Sequence, residues 1–277
     1  MRIAHLSDLH FGAHDEGLAA GLAEEVNARG PGLVVVSGDF TQVGSQAEFH
    51  AARTFIDTLT APVFAVPGNH DIPERQLLRR FLDPYGLYRQ FINPDLEPFI
   101  VMEGIALGGI KTTRRMRLEL DWSHGSISRG QLDTLHGRFD TARVHTVRIV
   151  VAHHPLLVPE GPMTVPLRRV DRADRALARF ANMGVRMVLS GHFHLSYVRQ
   201  HGHRGEIAEG EPAGPRRAAV APILVAQASS AISTRRRGEA NAYNVIDIIQ
   251  GDIAVRVREW DGFMWRYRPG HEPPLER

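Results

Sequence analysis

Apolar runs of strand length alternate with amphipathic stretches over the first two thirds of the chain, and each run stops at a polar residue able to bind a metal or move a proton. Ile3-Ala4-His5-Leu6-Ser7 stops at Asp8 and His10, and Leu33 to Gly38 stops at Asp39. Val63 to Gly68 stops at Asn69, Val147 to Ala152 at His153, and Val185 to Gly191 at His192 and His194. Short continuous apolar runs bounded by turn residues predict strands buried on both faces. In open α/β sheets ligands gather beyond the carboxyl ends of the strands, so these polar residues are expected to meet in one crevice although they lie far apart in sequence.

Between the runs the period changes to that of a helix. Leu18, Leu22 and Val26 share a face that ends at Gly30-Pro31-Gly32, and Ser45 with Glu48 forms a capping box ahead of Phe49, Ala52, Phe55, Ile56 and Leu59. Leu77 and Phe81 predict a short helix, after which Asp83 to Pro98, with Pro84, Pro94 and Pro98, reads as an irregular lid or substrate wall. Phe99 to Met102 and Ile105 to Leu107 then form a hairpin about Glu103-Gly104, which marks the start of a second sheet. Ser128 to Gln131 caps a helix through Leu132, Leu135 and Phe139, and Asp171 precedes one through Ala173, Leu177 and Phe180. Leu195 to Gln200 is strand-like, His201 to Ala219 is rich in Gly, Pro, Arg and Glu, and Ile223 to Ala226, Val245 to Ile249 and Ile253 to Val257 read as strands. Residues 268–277 read as a tail.

Composition narrows the class. The chain has 277 residues, 43% of them hydrophobic, with no cysteine and a formal net charge of +2. That fits a globular protein in a reducing compartment and excludes a disulfide framework or a cysteine-based zinc site. A strand follows the first residue directly and no run is long enough to span a bilayer, so a cytoplasmic location is expected. Lys111 is the sole lysine. The arginine clusters at 114–117, 216–217 and 235–237 read as solvated surface, with phosphate binding as the alternative.

Asp8 with His10, and His192 with His194, are spaced by two, so in extended backbone both members of each pair would face one side. With Asp39, Asn69 and His153 they make seven candidate ligands, too many for one tetrahedral ion and suited to two ions sharing a carboxylate bridge. His70 and Asp71 follow Asn69 directly, an imidazole that can donate or accept a proton and a carboxyl that could orient it.

Asp8-Leu9-His10, Gly38-Asp39, Gly68-Asn69-His70-Asp71, His153 and Gly191-His192-Phe193-His194 resemble, in order, the motifs of the calcineurin-like metallophosphoesterases. Gly-Asn-His-Asp with His153-His154-Pro155 is most similar to the class III cyclic-nucleotide phosphodiesterases and related bacterial phosphodiesterases. The resemblance implies a four-layer αββα sandwich of two mixed sheets flanked by helices. It implies that Asp8, His10 and His194 hold one metal, that Asn69, His153 and His192 hold the other, and that Asp39 bridges. It implies further that manganese or iron is favoured over zinc or cobalt, that a metal-bridging hydroxide would attack the phosphorus, and that His70, held by Asp71, would protonate the leaving alkoxide or stabilise the charge on the phosphate. Gln42 stands where many phosphatases of the superfamily carry an Asp.

The expectation is therefore one domain over 1–277: a metal-binding core at 1–200, a flexible loop at 201–219, strands at 220–267 completing the second sheet, and the tail. Its activity would be hydrolysis of a small phosphodiester, a 3',5'-cyclic nucleotide among the candidates. The rivals are a nuclease, a nucleotide-sugar-lipid pyrophosphatase, a phosphomonoesterase and a non-enzymatic scaffold of the same fold. Nucleic acid is the less favoured partner, and relatives of this type suggest a homodimer. His5 is expected to pack in the core and His154 to serve the turn before Pro155. His14, His50, His124, His136, His145, His201, His203 and His271 are expected outside the site, as are Arg235 to Arg237, Asn241 and Asn244.

Overall fold

The computed structural model describes residues 1–74, 76–114, 124–143, 146–161, 167–202 and 221–273. Most of the expected loop, His145, His203, Arg115, Arg117, Arg216, Arg217 and the end of the tail lie outside the described residues.

The first sheet begins with β1 (Arg2–Leu6), β2 (Leu33–Val36) and β3 (Val63–Ala65), parallel and adjacent, with α1 (Glu16–Ala28) and α2 (Gln46–Asp57) as the crossovers. The helix ends follow their sequence signals. Asp15 caps α1 by accepting from the Leu18 amide, and Ser45 and Glu48 form the reciprocal capping box on α2. Next come α3 (Leu77–Leu82) and α4 (Gly86–Phe91). The expected irregular segment thus contains one and a half turns of helix, whose Leu87 and Tyr88 are buried in the core beneath it.

The second sheet is built from β4 (Phe99–Met102), β5 (Ile105–Ile110), β6 (Val147–Ala152), β7 (Val185–Ser190), β8 (Tyr197–His201) and β9 (Ile223–Gln227). Its spatial order is β4-β5-β6-β7-β9-β8, parallel through β5, β6, β7 and β9 with antiparallel edges. The crossovers α5 (Arg129–Asp140), opened by the Ser128 capping box, and α6 (Ala173–Asn182) cover its outer face.

The C-terminal strands differ from expectation. Only β9 joins the second sheet; β10 (Ala242–Ile249), β11 (Asp252–Trp260) and β12 (Trp265–Tyr267) extend the first, in the order β12-β11-β10-β1-β2-β3. β10 pairs antiparallel with β1, which buries β1 between two neighbours. A strand's period says which face is apolar, but its partner is chosen by long-range packing, which local sequence does not carry.

Alternation assigns the layers. Ala4, Leu6, Val34 and Val36 pack outward against α1 and α2, while Ile3, Leu33 and Val35 pack inward against Leu107, Ile149, Val151, Met187 and Leu189 of the second sheet. Every central strand is therefore apolar on both faces, and the molecule is an αββα sandwich of two mixed sheets.

Candidate metal centre

The strand ends of both sheets open onto one site. β1 delivers Asp8 and His10, β2 delivers Asp39, β3 delivers Asn69 and His70, β6 delivers His153, and β7 delivers His192 and His194. The backbone there is not extended: φ is +51° at Asp8, +50° at His10, +56° at Asp39, +79° at His192 and +56° at His194. Left-handed backbone costs a non-glycine residue about 1–3 kcal/mol and concentrates at functional sites. It also separates the His192 and His194 rings, which the extended-backbone reading had placed on one side. His192 Nδ1 lies 3.1 Å from Asn69 Oδ1, whereas His194 Nε2 lies 3.2 Å from His10 Nε2.

Two glycines make the convergence sterically feasible. A Cβ at Gly68 would overlap Asp39, and one at Gly191 would overlap Ser7 and Asp8. Each glycine lets one strand end rest directly on the ligand loop of another.

The seven predicted ligand residues are brought together in overlapping groups. Ligating atoms of Asp8, His10 and His194 lie within 4.8 Å of one another, as do those of Asp8, Asp39 and His153. His194 Nε2 is 3.3 Å from Asp8 Oδ1, and His10 Nε2 is 3.7 Å from it. On the other side, Asn69 Oδ1 is 3.1 Å from both His153 Nε2 and His192 Nδ1. Asp39 stands between: its Oδ2 is 3.7 Å from His10 Nε2 and 3.3 Å from His153 Nε2, while Oδ1 accepts the His70 amide at 2.8 Å.

Backbone carbonyls orient the rings. His153 Nδ1 donates to Ser37 O at 2.8 Å and His194 Nδ1 to Arg235 O at 2.7 Å, so in the neutral rings each Nε2 carries its lone pair into the centre. Asp8 Oδ2 accepts the His192 amide at 2.8 Å, but Asp8 Oδ1 is fully buried without a hydrogen-bond partner. A buried carboxylate oxygen facing two imidazole nitrogens is costly unless a cation shares it. Carboxylate, imidazole and amide donors together suit first-row transition metals.

The electrostatics follow from burial and mutual charge. Burial pushes Asp8 up, but His194, His10 and His153 hold it well below the usual carboxylate range. Burial is likewise outweighed at Asp39 by His153 and His70. Burial lowers His153, yet Asp39 raises it to about 9, whereas burial and the neighbouring His153 push His192 down to about 3.

His70 lies at the edge, its ring centroid 4.8 Å from that of His10. Its Nδ1 donates to Gln42 O at 2.7 Å, which corrects the expectation that Asp71 holds the ring. The Asp71 carboxylate instead accepts from Thr41 N (3.0 Å), Thr41 Oγ1 (3.1 Å) and Gly68 N (2.8 Å). Burial, with Asp39 nearby, pushes it up to about 7. Ser37, Gln42 and Arg235 were thus missed as site residues because they act through their carbonyls, which leave no signature in side-chain type. His5 is buried as expected and bonds Ser37 Oγ at 2.9 Å, and His154 is buried with Nδ1 2.7 Å from Thr112 Oγ1. The Arg235 side chain is exposed as expected, but its backbone belongs to the site. His201 closes β8 rather than opening a loop.

A double-sheet sandwich with carboxylates and imidazoles gathered at its strand ends is a scaffold that could hold metal ions. The model of the calcineurin-like phosphoesterase family matches residues 1–196, and the chain belongs to that family: it is a metallophosphoesterase, a hydrolase of phosphoric esters. A probable cyclic nucleotide phosphodiesterase of Synechococcus is 26% identical over 212 residues, covering 73% of this chain and 76% of its own. The 3',5'-cyclic adenosine monophosphate phosphodiesterase CpdA of Pseudomonas aeruginosa is 25% identical over 212 residues, covering 72% of each chain. A dimetal phosphatase from Danio rerio shares the fold with a TM-score of 0.66 at 11% identity, covering 94% of this chain and 96% of its own. Among the described residues no helix is long and apolar enough to cross a membrane.

Proposed function

We propose that this protein is a metal-dependent phosphodiesterase of a small phosphodiester, with 3',5'-cyclic nucleotides the first class to test. The observation that carries the reading is the orphaned Asp8 Oδ1 facing His10 and His194, set beside a second cluster of Asn69, His153 and His192 with Asp39 between them. Asp8, His10 and His194 would hold one ion, Asn69, His153 and His192 the other, and Asp39 both. The names of the two sequence relatives favour a diester over a monoester. When bound, two transition-metal ions, manganese or iron first, supply Lewis acidity to the phosphoryl group and to attacking water.

The chain's own residues supply the rest. Ser37 O and Arg235 O fix the tautomers of His153 and His194, and Gln42 O does the same for His70. His70 Nε2 is thereby turned to the edge of the centre, where the imidazolium form of the ring would have a proton to give to the departing alkoxide. Asp71 keeps the Asn69 turn against β2 through Thr41 and Gly68. The reading also takes the chain as one domain, cytoplasmic and homodimeric.

The test uses two substrates with the same leaving group, bis(4-nitrophenyl) phosphate and 4-nitrophenyl phosphate, after chelation and addition of Mn2+. Faster metal-dependent turnover of the diester is expected. A monoester preference would make the protein a phosphatase, and equal rates in chelator would remove the metal from the account.

A further inference from the structure

Arg235 sits where loops of both sheets meet above the centre. Its carbonyl accepts from His194 Nδ1 at 2.7 Å, its amide donates to Ser233 Oγ at 3.1 Å, and its guanidinium Nη1 donates to Gln42 Oε1 at 3.2 Å. Gln42 in turn accepts from His70 Nδ1 through its own carbonyl at 2.7 Å. A continuous path of residues therefore runs from His194 through Arg235 and Gln42 to His70. The two rings it joins both neighbour His10, whose centroid is 5.0 Å from that of His194 and 4.8 Å from that of His70.

The guanidinium is underused for its position. Arg2, Arg29, Arg53, Arg256 and Arg268 each pair with a carboxylate, but among the described residues none pairs with Arg235. One N–H goes to a neutral amide oxygen, and the exposed side chain leaves its other donors open beside a phosphoester centre. A clasp between two loops needs one donor only. A planar fork of several donors is what a pair of phosphoryl oxygens matches.

We infer that Arg235 is a substrate-binding residue that contacts the phosphoryl oxygens of the substrate at the His70 and His194 end of the centre, with Gln42 Oε1 holding the guanidinium in place. The inference rests on the phosphodiester reading above for its substrate, but its anion contact is separable from it. Arg237, also exposed, carries the same charge two residues on without the bond to Gln42, and serves as the control for general attraction of anions.

The experiment measures binding of inorganic phosphate by calorimetry, and KM for bis(4-nitrophenyl) phosphate, on Mn2+-loaded wild type, R235A, R235K and R237A. R235A is expected to weaken phosphate binding about tenfold and to raise KM by a similar factor, the loss expected for one charge-assisted contact. Its metal content should equal the wild type's, because the carbonyl on His194 remains. R235K should recover part of the loss and R237A should match the wild type. Unchanged phosphate affinity in R235A, an equal loss in R237A, or loss of metal in R235A would overturn the inference. If the wild type prefers the monoester, the phosphodiesterase reading fails while the phosphate titration still decides the role of Arg235.

Discussion

His70 takes its orientation from the Gln42 carbonyl, and Asp71 spends its carboxylate on Thr41 and Gly68, so substitutions at these neighbours should do different things. His70→Ala removes the proposed proton carrier but none of the seven proposed ligands. It should lower kcat about 10²- to 10⁴-fold, the usual worth of general acid catalysis, with metal content unchanged. Measuring kcat and bound metal on the same sample checks this, and loss of an ion with the activity would make His70 a ligand instead. That seven candidate ligands would meet at the strand ends was legible in the sequence, because rare polar residues close apolar runs. What was not legible is how they point. Five carry positive φ, which turns His192 and His194 apart where period-two reasoning put them together. Three of the groups that orient the rings are carbonyls, which any side chain would supply.

At the scale of elements, the capping boxes are the clearest case of local sequence deciding local structure. Ser45 Oγ accepts the Glu48 amide, and Glu48 Oε2 returns a bond to the Ser45 amide and another to Val43 N. Ser45→Ala should lower stability by about 1 kcal/mol, seen as a shift of the denaturant midpoint with unchanged slope. No shift would mean that Glu48 alone satisfies the helix start. Elements whose reason is tertiary were hidden. α4 is six residues between prolines, held by burial of Leu87 and Tyr88, and β12 is three residues paired to the end of β11. The return of β10 to β1 depends on a partner more than two hundred residues away, which no window of sequence contains.

Across the whole molecule the centre is a joint between the two sheets. Asp8, His10, Asp39 and Asn69 come from the first, and His153, His192 and His194 from the second. Ions held by both would stabilise the sandwich as well as drive the chemistry, since a ligand that binds only the folded state raises its stability. Loading must also expel protons. Burial lowers His153, yet Asp39 raises it to about 9, so the metal-free centre carries a proton on His153 near neutral pH that a metal would displace. Affinity should therefore rise with pH and level off above about pH 9, where His153 has already lost its proton.

The central claim, a two-ion centre made of these seven residues, is tested most directly by calorimetric titration of the chelator-treated protein with Mn2+ at pH 7 in two buffers of different ionisation enthalpy. The account predicts two ions per chain, binding heats that differ between the buffers because protons are released, and a stoichiometry that falls in Asp39→Asn. A single ion per chain, or two ions whose binding releases no proton and is indifferent to Asp39, would contradict it.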